Sequence, residues 1–455
     1  VRRVAVIAAC LVGPALFAIT VAVTGPANLL GDFRAFYCAG NAVAHGANPY
    51  LEQPLHACEQ RAQPPRVPDW LRDTTVPAPL PPPALLAFAP LAALPFPIAG
   101  ALFEALALAA MCGAVALFSR TVGVSTTLLN LAFAGITATQ TYLLGQPVPF
   151  VLLAVAAAAL FARRGQWIAT AACVAASIGE PAIALPIALA TFVLLPRMRI
   201  PLVAAGVLLA LASAAAVGWA TSVAYVRDVI PAHAIANAYE WQFSLTSMLT
   251  SAGMPAPAAV RYGEAMFAVM TVAGIAIAAR VWRATGDRAA LVLLPPAFAA
   301  FGGVHVHAQQ IVVALPAILY VYARYPRVRA LAATGATFAM IPWNFLAASV
   351  LAGVTPLLVG WFARLTLGAR RGVILAALSA FMSLALLALV LAGFGPAVTT
   401  FVPHTYPADA LAEASWADFS RAELARTSLV MQWLRVPVLG GLALGLAAIV
   451  RAAFQ

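Results

Sequence analysis

The chain has no lysine: all 26 of its basic residues are arginine, and charged residues of both signs fill only 9% of its 455 positions. A soluble globular protein carries about 25% charged residues, so a fully hydrated surface is excluded. Without lysine the Gly-x-x-x-x-Gly-Lys phosphate loop cannot exist. Gly-x-Gly-x-x-Gly, Asp-x-Asp and His-Glu-x-x-His are missing as well, so nucleotide-driven chemistry is not expected. Five cysteines are too few for a disulfide scaffold. Cys10, Cys112 and Cys173 fall in apolar runs and read as packing residues. Cys38 and Cys58 share one polar stretch, where they either bond or remain thiols. His305-x-His307 stands alone, without the clustered spacing of a zinc site, so no metal is expected.

What the chain does have is apolar length. Hydrophobic residues make up 63% of it, mean hydropathy is +0.94, and runs near 20 residues recur from end to end. Runs of that length match the hydrocarbon thickness of a bilayer. Helices satisfy every backbone polar group within lipid, and the alternation of barrel strands is absent. The predicted fold is all-α: a polytopic transmembrane bundle of about 12–14 helices, with a first outer loop carrying short amphipathic helices. The first run, Val4–Thr24, reads as an uncleaved anchor because it is too long for a signal peptide. Later breaks fall at Gly179-Glu180-Pro181, which makes a short hairpin of 168–178 and 182–195, and at His305–Gln310.

The arginines set the predicted orientation. Seventeen of them, including Arg2, Arg163, Arg197, Arg280, Arg324, Arg370 and Arg451, fall in one set of loops. By the positive-inside rule that set is cytoplasmic and includes the N-terminus. The net charge of +11 is explained by topology, so no nucleic-acid partner is expected. Eleven of the fifteen acids lie in the opposite, outer loops, and Asp287 alone lies in an inner one. The chemistry is therefore expected on the outer face. Outer loops are read at 25–83, 221–257, 305–310 and 395–427. Residues 1–330 read as the catalytic module and 331–455 as additional helices.

Asp32 opens a stripe of apolar and aromatic residues from Phe33 to Ala44, a predicted helix lying along the membrane interface. An Asp there caps the helix, serves as a general base near the surface, or does both. His305 and His307 sit at a helix end beside Gln309 and Gln310, where polar groups line a pathway or simply face water. Glu180 marks the hairpin tip, as a cap or a contact to a bound polar group. Gly145-Gln146-Pro147 reads as a tight turn, and Trp241-Gln242-Phe243-Ser244 as either a sugar-stacking cluster or an interface anchor. Glu104 and Glu264, inside apolar runs, are expected to pair with nearby arginines.

In order, Asp32-Phe33-Arg34-Ala35-Phe36-Tyr37-Cys38-Ala39-Gly40, Gly46-Ala47-Asn48-Pro49-Tyr50, Pro81-Pro82, Pro90, Pro95, Gly145-Gln146, Ser244-Leu245 and His305/His307 with Pro316 resemble a bacterial family. It is the polyprenyl-phosphate-mannose-dependent mannosyltransferases, glycosyltransferase family 87 of the GT-C superfamily. The resemblance covers about residues 1 to 330. It implies a GT-C bundle in the bacterial inner membrane that transfers a hexose, mannose foremost, from a polyprenyl-phosphate sugar. The acceptor hydroxyl would belong to a glycan, a glycolipid or a protein, on the periplasmic face. Asp32 would be the base of an inverting displacement. Arg34, His305 and His307 would hold the donor phosphate, with Tyr37, Gln146, Glu180 and Gln242 as further substrate contacts. No cofactor is implied, because the lipid-linked sugar is itself the donor. The chain departs from the family where Glu180-Pro181 replaces the Lys-Pro of many members and where Gln310 stands near a common Asp. Three rivals remain at this point: a multipass transporter or lipid flippase, a non-catalytic scaffold of an envelope-assembly complex, and a GT-C enzyme for another sugar.

Overall fold

The computed structural model describes residues 15, 30–62, 74–136, 144–341, 351–389, 392, 404–425, 427 and 432–455. The proposed anchor at Val4–Thr24 lies outside them, apart from position 15. The fold is all-helical. Among the described residues, extended pairing is confined to an isolated antiparallel bridge between Leu51 and Leu411. In chain order the main helices are α1 Gly31–Ala44, α2 Glu52–Arg61, α3 Phe96–Val122, α4 Thr126–Ile136, α5 Val148–Arg164 and α6 Trp167–Ala176. They continue as α7 Pro181–Leu194, α8 Arg199–Ala224, α9 Ile230–Ala238, α10 Leu245–Ser251, α11 Ala256–Thr285 and α12 Ala290–Gly302. The last six are α13 Ala314–Arg324, α14 Arg329–Ala339, α15 Leu351–Leu367, α16 Ala369–Leu389, α17 Ala412–Leu424 and α18 Arg435–Ala453.

Five described helical stretches are long and apolar enough to cross a membrane: Phe96–Val122, Pro196–Ala238, Ala256–Thr285, Ala369–Leu389 and Arg435–Ala453. Shorter apolar helices of 10–17 residues fill the space between them. The chain is thus a multi-pass membrane protein. Prolines explain much of the shortening, because they open helices where a missing N–H costs nothing. Pro149 and Pro181 stand in the first turns of α5 and α7.

The core centres on α12 and α13, which are buried along almost their whole length. Around them pack Phe118, Leu129, Phe133, Leu152, Val155, Ile187, Phe362 and Leu442. Between membrane helices, close approach of small residues does more than hydrophobicity, since lipid is as apolar as the core. Gly335 shows this: a Cβ there would stand 2.6 Å from the backbone N of Gly445, so α14 and α18 touch backbone to backbone. The opposite extreme is α8, whose Ile200, Val203, Leu208, Leu211 and Trp219 are all exposed and form an apolar, lipid-type surface.

Three differences from the sequence reading matter for function. First, α1 does not lie on a surface. Phe33, Arg34, Ala35, Phe36, Cys38, Ala39, Gly40, Ala42 and Val43 are buried, which puts apolar packing on every face of the helix. The amphipathic stripe was too narrow a guide, because Ala and Gly on the other faces let neighbouring helices close in. Second, the stretch taken as a loop from residue 221 remains helical as far as Ala238, through a π turn at Tyr225–Val229. Tyr225 and Val229 join the apolar cluster of the first loop, and that packing offsets the poorer helical register. Third, the region 395–427 contains α17, which docks on the first loop. Glu52 N donates to Ala410 O (2.7 Å), Gln53 N to Ala408 O (3.0 Å), Ala412 N to Tyr50 O (3.0 Å), and Thr75 N to Ser415 Oγ (3.2 Å). Cys38 and Cys58 are joined by a disulfide that ties α1 to α2.

Candidate active site

Asp32 lies in the first turn of α1. The helix has no side-chain cap; its opening N–H groups find a partner far along the chain. Asp32 N and Phe33 N both donate to Leu144 O, at 2.9 and 3.1 Å, satisfying donors that a helix start leaves free. The chain enters through Leu30 in the left-handed conformation (φ 59°), a strain on the order of 1–3 kcal/mol for a side-chain-bearing residue. Gly145 is also left-handed (φ 77°), and a Cβ there would lie 2.5 Å from Phe33 Cβ. Only glycine lets the 144–147 turn close on α1. That closure delivers Gln146, whose Nε2 donates to Asp32 Oδ2 at 2.6 Å. Asp32 therefore does not act as a side-chain cap; its carboxylate is held out by a neutral amide.

Asp32 is surrounded by protein and only partly exposed. Burial pushes its carboxyl up from 3.8 to about 6, against the opposing pull of the Gln146 hydrogen bond and the Arg34 charge. It stays mostly ionised at neutral pH while being more basic than an ordinary aspartate, which suits proton abstraction. Arg34 points into the interior of the first loop. It is 2% exposed, and its Nε and Nη2 are buried without a hydrogen-bond partner. Its charge acts on Asp32 and on Glu59.

A second polar group forms where α9, the loop 303–307 and the hairpin tip meet. Gln310 Nε2 donates to Glu180 Oε2 (2.9 Å), and Gln310 Oε1 accepts from His307 N (2.7 Å). His307 Nε2 lies 3.0 Å from Asn237 Oδ1 and 3.5 Å from Glu240 Oε2. The Asn237 amide is oriented by its Nδ2, which donates to His233 O at 3.0 Å, so its oxygen faces His307. Hence the His307 proton sits on Nε2. Burial lowers His305 to about 4, and burial with the His305 charge lowers His307 to about 3, so both rings are neutral at physiological pH. They can offer a phosphate hydrogen bonds, not positive charge. His305 stacks edge-on to His233 at 5.4 Å. Among the described residues, no three His, Cys, Asp or Glu side chains are grouped as a metal site.

Several residues singled out from sequence are engaged internally. Gln242 is 1% exposed; its Nε2 donates to Asn237 O and its Oε1 accepts from Val306 N, so it braces the loop 303–307. Tyr37 donates its hydroxyl to Leu94 O at 2.9 Å and packs edge-on against Phe96. Glu104 finds no arginine partner by hydrogen bond: both its carboxylate oxygens are buried and unbonded. Glu264 is exposed. Sequence reasoning passed over Glu240, Asn237 and Trp416. Trp416 Nε1 donates to Glu240 Oε1 across 176 residues. The one available signal was Glu240 itself, an outer-loop acid directly before the Trp241 cluster. Nothing local could reveal its partner on α17.

Residues 80–300 match the model of glycosyltransferase family 87. No curated protein sequence and no solved structure matches the chain. The match spans Gln146, Glu180, Asn237 and Glu240, begins after Asp32 and ends just before the His305 loop. The polytopic helical bundle agrees with the match, which covers just under half of the chain and supports a membrane glycosyltransferase of family 87.

Proposed function

We propose that the chain transfers a hexose, mannose foremost, from a polyprenyl-phosphate sugar to an acceptor hydroxyl at the outer face of the inner membrane. The observation that carries this reading is the Asp32 carboxylate: fixed by Gln146, reachable from solvent, and raised to about 6 at the end of the bundle where the other buried polar groups collect. Asp32 takes the acceptor O–H proton as the oxygen attacks the anomeric carbon. The bond from that carbon to the phosphate oxygen breaks, its electron pair leaves with the lipid phosphate, and configuration inverts. A phosphate leaving group needs hydrogen bonds and not a strong acid. Neutral His305 and His307 are the candidates for that role; Arg34, enclosed in the first loop, contributes only through its charge.

The lipid tail of such a donor calls for an apolar surface beside the site. The exposed side chains of α8 supply one, and α8 continues into α9, which carries Asn237. The arginines at the far end of the bundle support an outward-facing site under the positive-inside rule. The match to a glycosyltransferase family disfavours the transporter and scaffold readings. Purified full-length protein in nanodiscs, given radiolabelled polyprenyl-phosphate mannose or glucose and a membrane lipid extract, is expected to transfer mannose, and the Asp32→Asn form is expected not to. Normal turnover by Asp32→Asn would remove the reading. Mass spectrometry of envelope glycans from a strain lacking the protein would name the sugar and its attachment.

A further inference from the structure

Glu240 has no established part in the mechanism above, yet its surroundings are built. It lies two residues past the end of α9, and its side chain and its main chain each hold one bond. Oε1 accepts from Trp416 Nε1, and Ser247 Oγ donates to its backbone oxygen at 2.5 Å, fixing the main chain. Oε2 lies 3.5 Å from His307 Nε2, whose proton is already committed to Asn237. Trp416 comes from α17 and packs its ring against the apolar cluster of the first loop, which contains Phe33, the neighbour of Asp32. One indole thus joins the apolar cluster of the first loop to the carboxyl of Glu240.

The charges around Glu240 are of one kind. Asp32 and Glu423 oppose its ionisation, and His307 beside it is neutral. Arg421 is turned onto the Tyr239 ring, 4.7 Å from its centroid, and Arg435 onto Ser247 and Trp241. Burial with these two acids lifts Glu240 to about 8, although the Trp416 hydrogen bond works against the rise. Near neutrality Asp32 is the ionised member and Glu240 the protonated one. With Oε1 filled by a donor, the hydroxyl on Oε2 needs an acceptor, and no described side chain provides it. Two carboxyl groups in opposite protonation states, within reach of one another's charge, are the arrangement used when a sugar carbon is displaced with inversion, one on the nucleophile and one on the leaving group.

We propose that Glu240 donates a hydrogen bond to the departing phosphate oxygen of the lipid-linked donor, and that Trp416 positions it. This rests on the transferase reading above. The proton stays on Glu240: as the sugar–phosphate bond breaks, its electrons settle on the phosphate and the hydrogen bond strengthens, while the acceptor's proton passes to Asp32. The α17 helix, outside the family match, is then part of the site.

The test uses full-length protein in nanodiscs with radiolabelled polyprenyl-phosphate mannose and a membrane lipid extract, following kcat, KM and pH dependence, with thermal melts to confirm folding. Losing a hydrogen bond to a charged oxygen predicts that Glu240→Ala lowers kcat about 10- to 100-fold with a smaller change in KM. Glu240→Gln, which keeps the shape and an N–H donor, should recover part of that loss. Wild type should lose activity as pH rises through about 8, and Glu240→Gln should not. Trp416→Phe removes a bond that favours the ionised form, so its alkaline limb should move to higher pH. A wild-type kcat in Glu240→Ala, or an alkaline limb that survives in Glu240→Gln, overturns the assignment while an inactive Asp32→Asn leaves the transferase reading standing. Normal turnover by Asp32→Asn, or no transfer by wild type, overturns both.

Discussion

Four helices run between two very different polar ends. α3 begins beside the aromatic cluster of Phe33 and ends at Thr121 and Val122; α5 begins after Gln146 and ends at Arg163. α12 begins after Asp287 and ends before His305, and α13 begins after Gln310 and ends at Arg324. The 17 residues of α5 alone hold the two ends about 25 Å apart. At one end Asp287 accepts from Arg163 Nε (3.0 Å), from Arg163 Nη2 (2.7 Å) and from Tyr320 (3.1 Å), with Arg324 Nη2 at 3.3 Å. The same two arginines also cover the backbone carbonyls of Thr121 and Val122. Burial alone would raise Asp287; the Arg163 bonds and charge, the Ala289 N–H and the Arg324 charge hold it below the ordinary value. At the other end Asp32 is bonded only to an amide, with the Arg34 charge acting from a distance, and burial raises its carboxyl. The same residue type is thus a clamp in one place and the proposed base in the other, according to whether cations are bonded to it.

The comparison predicts opposite pH behaviour. Asp32 has a raised folded pKa, so its contribution to stability is present below about 4 and lost as pH rises through about 6. Asp287 has a depressed folded pKa, so its contribution is present above the unfolded value and lost as pH falls through the folded one. A clamped carboxylate stabilises at working pH; one held at a raised pKa costs stability there.

Substitutions can break this contrast, the largest effect coming first. Asp32→Asn should cut transfer by about 10²–10⁴-fold and, by removing a partly buried charge with no bonded cation, raise the melting temperature at pH 8 measured by calorimetry in nanodiscs. A lowered melting temperature would show that Asp32 is a second clamp. Cys38→Ser with Cys58→Ser releases a cross-link 20 residues apart and should cost about 3 kcal/mol, read as a lower melting temperature matched by wild type under reductant. Asp287→Asn leaves two arginines short of a partner and should cost about 2 kcal/mol, reduced from the fully buried case because both guanidiniums are partly exposed. The folded fraction should keep its wild-type kcat; a loss there would dissolve the distinction. Gln146→Ala removes a donor that favours the charged carboxylate, so the acid limb of the pH–rate profile should move up from about 6 by about one unit. An unmoved limb would mean that another group titrates.

Much of the helical layout was readable, because long apolar runs leave backbone groups no alternative to helix. The hairpin around Glu180 appeared where Gly179 and Pro181 put it. The helix after Asp32 appeared too, though buried where a surface position was expected. Individual ends were less accurate: the stretch read as a loop at 221–257 is helical as far as Ala238, and α11 begins at Ala256. The site was legible as separate residues and not as an arrangement. Asp32, Gln146, Glu180, His305 and His307 were each marked by being polar in an apolar chain. Gln242 carried the same mark and proved to be a brace, because burial consumed both ends of its amide.

By itself the sequence determined that this chain is a polytopic helical membrane protein, for apolar length acts locally along the chain. The tertiary structure alone decided which acids are neutralised. Asp287 meets two arginines from α5 and α13, Asp32 meets an amide from the turn before α5, and Glu240 meets an indole from α17. Those partners stand between 37 and 176 positions away in sequence, and an ionisation equilibrium depends on what is near in space.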